Sequence, residues 1–124
     1  MNLFCIEPDA LLVLHQESLD GADANACVCD SSLLESALSH PLNEAEARPV
    51  DIADIAAAYA WGMLKYRPFA AGNERAALLA MGLFLYLNDW RLEAPPQEAA
   101  RVIWQAATDV LDEADLANWI RGYL

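Results

Sequence analysis

The chain has 124 residues, 56 % of them hydrophobic, which is enough for one hydrophobic core and too apolar for a disordered polymer. Nineteen acidic residues against 7 basic ones give a formal charge of −12. Such a surface repels a phosphate backbone, excludes general nucleic-acid binding and favours a basic peptide or protein as partner.

The opening stretch, "MNLFCIEPDALLVL", lacks a positive n-region and is interrupted by Glu7, Pro8 and Asp9, so it does not read as a signal peptide. Asp9 to Leu19 carries Leu11, Leu12, His15 and Leu19 at helical spacing, with Pro8 suited to a first turn. Gly21 to Cys29 is small and polar and reads as a loop. Asp30 is a good N-cap for "SSLLESALSH", in which Leu33, Leu34, Ala37 and Leu38 repeat at helical spacing. Pro41 to Val50 then reads as an exposed connection or a frayed turn.

Asp51 caps a longer helix with Asp54 in its first turn and Ile52, Ile55, Tyr59, Met63 and Tyr66 on one stripe. Pro68 disfavours helical geometry at Arg67, which places the helix end near Tyr66. The next helix, about residues 73–88, is apolar on all sides and is expected at the centre of the fold. Its longest uncharged run, Ala76 to Leu87, is shorter than the ~20 residues a bilayer span needs, so no membrane association is expected. Pro95 and Pro96 open another helix, with Glu98 in its first turn and Val102, Ile103, Ala106 and Val110 facing inward. A last helix aligns Leu116, Trp119, Ile120, Tyr123 and Leu124. No alternating run suggests a sheet. The expected fold is all-α, a compact bundle of about six helices forming one domain over residues 1–124.

Cys5, Cys27 and Cys29 are odd in number and suggest no disulfide framework, which makes a reducing cytoplasm the expected compartment. Cys27-x-Cys29 with His15 or His40 falls short of a metal-ligand pattern, because a second Cys or His pair is missing. These cysteines are read as ordinary thiols.

One stretch between the two most apolar helices stands out: "KYRPFAAGNER", Lys65 to Arg75. Together with "LLVLHQESLDG", "DSSLLESALSHP" and "LANWIRGYL", it resembles in order and spacing the death-on-curing (Doc) toxins of the Fic/Doc, or Fido, superfamily. The family signature is H-x-F-x-(D/N)-(G/A)-N-K-R in the Doc branch and H-P-F-x-(D/E)-G-N-G-R in the Fic branch. The resemblance implies transfer of part of ATP or another nucleoside triphosphate, assisted by Mg²⁺, onto a protein hydroxyl. For the Doc branch it implies phosphate transfer to translation elongation factor Tu and inhibition by a Phd-like antitoxin.

The loop departs from that signature at the positions that carry chemistry. Arg67 stands where the family has its catalytic histidine. A guanidinium stays protonated to a pH above ~12 and cannot serve as a general base, although it can bind phosphate. Ala71 stands at the Mg²⁺-ligand position and offers no oxygen. Glu74 replaces the Doc lysine or the second Fic glycine; it reads as a helix N-terminal charge or as a substitute Mg²⁺ ligand. Phe69, Gly72, Asn73 and Arg75 match. Gly72 permits a phosphate nest, Asn73 opens the helix whose N–H groups face an anion, Arg75 matches the phosphate-pairing arginine, and Phe69 packs beneath. Upstream, Val28-Cys29-Asp30 replaces the family's (I/V)-R-D, so Cys29 removes another cation, and His15 matches a family histidine read here as structural.

Two main functions remain open from the sequence, beside a weaker third in which Arg67 serves an altered chemistry as an electrostatic group. One is a pseudoenzyme that keeps an anion, nucleotide-phosphate or protein binding site. The other is an active Doc-like toxin moving a phosphate or AMP group onto elongation factor Tu.

Overall fold

The computed structural model describes residues 3–18 and 29–124. Six helices follow in chain order: α1 (Pro8–Ser18), α2 (Ser31–Ala47), α3 (Ile52–Tyr66), α4 (Asn73–Leu87), α5 (Pro96–Ala107) and α6 (Glu113–Arg121). The expectation of an all-α bundle is met. Leu19 and all of the expected loop Gly21–Cys29 except Cys29 itself, Cys27 included, lie outside the described residues.

Local chemistry accounts for most helix ends. The Asp30 carboxylate accepts from Leu33 N–H at 3.0 Å and starts α2. Reciprocal capping boxes start α3 (Asp51 with Asp54) and α6 (Asp112 with Asp115). The α3 helix ends at Tyr66, as Pro68 requires, with Arg67 in the left-handed region at φ 46°. After α5, Asp109 is left-handed, at φ 64°. The chain turns there, and Val110, expected inside, is 66 % exposed.

The centre of the bundle is a pair of helices. The expected central helix, α4, packs on α1, α3 and α5, while α3 packs on α2, α4, α5 and α6. Ten α3 residues are buried, many of them alanines, so the helix is enclosed over more of its surface than the expected single stripe. Tyr59, Met63, Met81 and Phe84 fill the space between the two helices' neighbours. The N-terminal segment is pinned to this pair. Asn88 exchanges hydrogen bonds with the Phe4 backbone, at 2.7 and 2.9 Å, and Ile6 N–H donates to the Tyr59 hydroxyl at 3.3 Å. Burial pushes the Tyr59 phenol up to about 12.

A further expectation fails in part. Most of the stretch from Leu42 to Pro49 is exposed, as expected, but it is not a connection or a frayed turn: α2 runs on through the buried Pro41 to Ala47. A proline in a helix interior removes the N–H that would have bonded to the carbonyl four residues back, here Ala37. The α3 helix approaches at that carbonyl. A Cβ built on Gly62 would lie 2.5 Å from the Ala37 oxygen, so only glycine allows the two backbones this close. Packing of α2 on α3 outweighs the local cost of the proline.

Candidate functional site

The segment between α3 and α4 is built on four interactions. Asn73, only 1 % exposed, turns its side chain back onto Phe69: Oδ1 accepts from Phe69 N–H and Nδ2 donates to Phe69 O, both at 2.9 Å. This reciprocal pair closes the loop and satisfies two buried backbone groups at once. Phe69 also forms an isolated antiparallel bridge with Cys29, while Asp30 N–H donates to Pro68 O at 2.9 Å. The start of α2 is thereby fastened to the loop.

Beneath the loop lies His15, fully buried and stacked on Phe69 with ring centroids 4.0 Å apart. Its Nε2 faces Gly72 O at 3.2 Å. A carbonyl only accepts, so Nε2 carries the proton and the neutral ring holds the loop from below. Burial and, to a lesser degree, the nearby Arg75 charge lower the His15 pKa, with the Gly72 bond opposing them. Nδ1 has no hydrogen-bond partner among the described residues. The expected structural role for His15 agrees with this burial. Its direct hold on the loop was not legible in sequence, where the two lie 57 residues apart.

On top, Gly72 caps α4 in the left-handed region at φ 77°. The first helical hydrogen bond runs from Ala76 N–H to Gly72 O at 2.9 Å, which leaves the N–H groups of Asn73, Glu74 and Arg75 at the open positive end of the helix. Arg75 is exposed and donates to the last carbonyl of α1, Ser18 O. Arg67 Nη1 reaches Glu74 Oε1 at 3.1 Å, and the two side chains are 50 % and 31 % exposed. Ala70 and Ala71 are exposed.

The residues anticipated from sequence therefore divide into two groups. Phe69 and the Asn73 side chain are interior parts that shape the loop, and Gly72, not Asn73, is the N-cap. Contact with an anion would fall to the first-turn N–H groups, including that of Asn73, and to the Arg67 and Arg75 guanidinium groups. Glu74 is engaged by Arg67 rather than standing as a lone helix charge. Cys29 approaches the loop through its backbone, and its thiol is held above the ordinary value by burial and then by Asp30.

A phosphate group fits this arrangement: a glycine nest, a helix N-terminus and two arginines at one end of α4. Mg²⁺ does not fit. Position 71 presents a methyl group, and the Glu74 carboxylate in the first turn of α4 is paired to the Arg67 guanidinium.

The two most enclosed helices of this all-helical bundle, α3 and α4, are joined by the loop that carries Gly72, with Arg67 and Arg75 flanking it. The Fic/DOC family model matches residues 5–85, well over half of the chain, and the chain belongs to that family. The match spans α1 to α4 and includes the whole loop. A comparison with curated proteins gives no match. Among the described residues, no helix is long and apolar enough to cross a membrane.

Proposed function

We propose that this Fic/DOC-family protein, taken as a single Fido-type unit over residues 1–124 and assigned to the Doc branch, is a cytoplasmic pseudoenzyme that binds phosphate-bearing ligands without transferring from them. The observation that carries this reading is the Arg67–Glu74 ion pair. A proton acceptor is needed where the substrate hydroxyl would attack, and that place holds a permanent cation already neutralised by a carboxylate. Loss of a positioned general base typically slows such a step 10²–10⁴-fold. The Mg²⁺-ligand position is lost independently at Ala71.

The parts that support the reading on the binding side are the left-handed Gly72, the opening turn of α4 and Arg75. ATP or another nucleoside triphosphate is the ligand class, held through its phosphates. The protein partners in keeping with this branch are a Phd-like antitoxin and translation elongation factor Tu, the latter bound rather than modified.

A nucleotide titration with a matched reversion tests the proposal. The unaltered chain is expected to bind ATP weakly and release neither ADP nor pyrophosphate from it. Arg67→His with Ala71→Asp and Glu74→Lys restores the base, the metal ligand and the cation, and is expected to regain Mg²⁺-dependent turnover. Turnover by the unaltered chain would overturn the proposal.

A further inference from the structure

Away from the loop, three side chains from two helices converge on one point. His40 and Glu44 lie one turn apart on α2, and Glu113 opens α6. His40 Nε2 is 2.7 Å from Glu113 Oε1 and 3.6 Å from Glu44 Oε1, and one donor atom from each residue lies within 4.8 Å of the others. Each side chain is only 17–27 % exposed. The two helices pack on α3 rather than on each other, so this cluster bridges elements that are otherwise apart.

We propose that His40, Glu44 and Glu113 bind a divalent transition-metal ion of the zinc class, with water completing the coordination. A single imidazole nitrogen can satisfy one of the two carboxylates that face it, and at 3.6 Å Glu44 Oε1 is beyond hydrogen-bond reach. One divalent cation answers both carboxylates and neutralises their combined charge. The Glu44 carboxylate is already oriented for this, because its other oxygen accepts from Arg48 Nε at 3.3 Å.

The mixed nitrogen and oxygen donor set selects zinc-class ions over Mg²⁺ and Ca²⁺, which prefer all-oxygen shells. Bonds of ~2.0–2.2 Å in a tetrahedron separate ligand atoms by about 3.3 Å. The Glu44 distance already suits that spacing, and the His40–Glu113 pair needs to open by about 0.6 Å, within reach of side-chain rotation. The partial exposure leaves an outer face for the water.

Calorimetric titration of Zn²⁺ into the untagged full chain tests the site, with Co²⁺ absorption as a spectroscopic probe. The expected result is one saturable equivalent and a melting temperature that rises with Zn²⁺ and falls back on adding a chelator. Glu44→Gln and His40→Gln should each weaken binding at least tenfold. Glu44→Gln is the safer variant, since the amide oxygen can still accept from Arg48. The Co²⁺ spectrum should show ligand-field bands without a thiolate charge-transfer band. No saturable binding by the unaltered chain, binding unchanged in both variants, or a thiolate band placing the ion on cysteine would each overturn the proposal.

Discussion

Arg67 and Glu74 meet across the left-handed Gly72, with Nη1 and Oε1 3.1 Å apart. In the reading proposed above, one residue stands at the base position and the other at the phosphate-cation position, with the opposite charges. An exposed ion pair of this kind contributes only about 0–1 kcal/mol to stability, so its consequence lies in binding. Glu74→Gln releases Arg67 toward the nest and removes a negative charge beside it. The expected outcome is a three- to tenfold tighter Kd for ATP, about 1 kcal/mol, with little change in melting temperature. Calorimetric titration of the two proteins checks it.

Because Ala71 offers no oxygen and the Glu74 carboxylate is paired with Arg67, free ATP is expected to bind at least as tightly as its Mg²⁺ complex. Chelating Mg²⁺ during the same titration should leave affinity unchanged or raise it. Arg75→Ala should weaken both forms, since a guanidinium–phosphate pair is a charge-assisted hydrogen bond.

The loop itself depends on Asn73. Asn73→Ala strips both bonds from the Phe69 backbone and leaves an N–H and a carbonyl buried without partners. Each such group costs about 1–3 kcal/mol, and the two are adjacent, so a total loss of about 2–4 kcal/mol is expected by denaturant unfolding. A loss below 1 kcal/mol would mean that water reaches the site.

Gly62→Ala places a methyl group into the Ala37 carbonyl, at 2.5 Å before relaxation. Backbone cannot yield as a side-chain tip can, so α2 and α3 must separate. The expected cost is about 2–3 kcal/mol, whereas Gly82→Ala, where nothing lies within 4 Å of the added Cβ, should be neutral or slightly stabilising. Parallel urea melts of the two variants check the contrast.

His15 gives the protein a pH dependence with a definite sign. Its folded pKa is lowered from the ordinary value of 6.5, so below that pH the unfolded chain takes up the proton first. Stability is therefore fully present above pH 6.5 and is lost as pH falls through the folded pKa, with a slope of at most about 1.4 kcal/mol per pH unit from this group. Protonation also creates a buried cation under Gly72. His15→Gln keeps a side-chain donor for the Gly72 carbonyl and should flatten this part of the profile relative to the unaltered chain.

How far the sequence revealed the molecule follows from which forces were local. Caps at Asp30 and Asp51, the stop at Pro68 and the proline start of α5 were legible because a residue and its neighbours within one turn decide them. The α2 helix was cut short in the reading because Pro41 is a local breaker, and the compensating contact with Gly62 comes from another helix. Val110 failed for the opposite reason: its spacing fitted the stripe, but the backbone had already turned at Asp109. In the loop, the motif positions were readable one by one. Their pairings were not, since Arg67 meets Glu74 and His15 meets Gly72 only once α1, α3 and α4 have packed. Glu113 and His40, 73 residues apart, left no trace as a pair in the sequence.

The most direct test is the intact mass of translation elongation factor Tu after incubation with the unaltered protein, ATP and Mg²⁺. A pseudoenzyme leaves that mass unchanged, even where the two proteins co-elute as a complex. Stoichiometric addition of a phosphate or an AMP group, abolished by Arg75→Ala, would show that transfer survives without the histidine and would contradict the account.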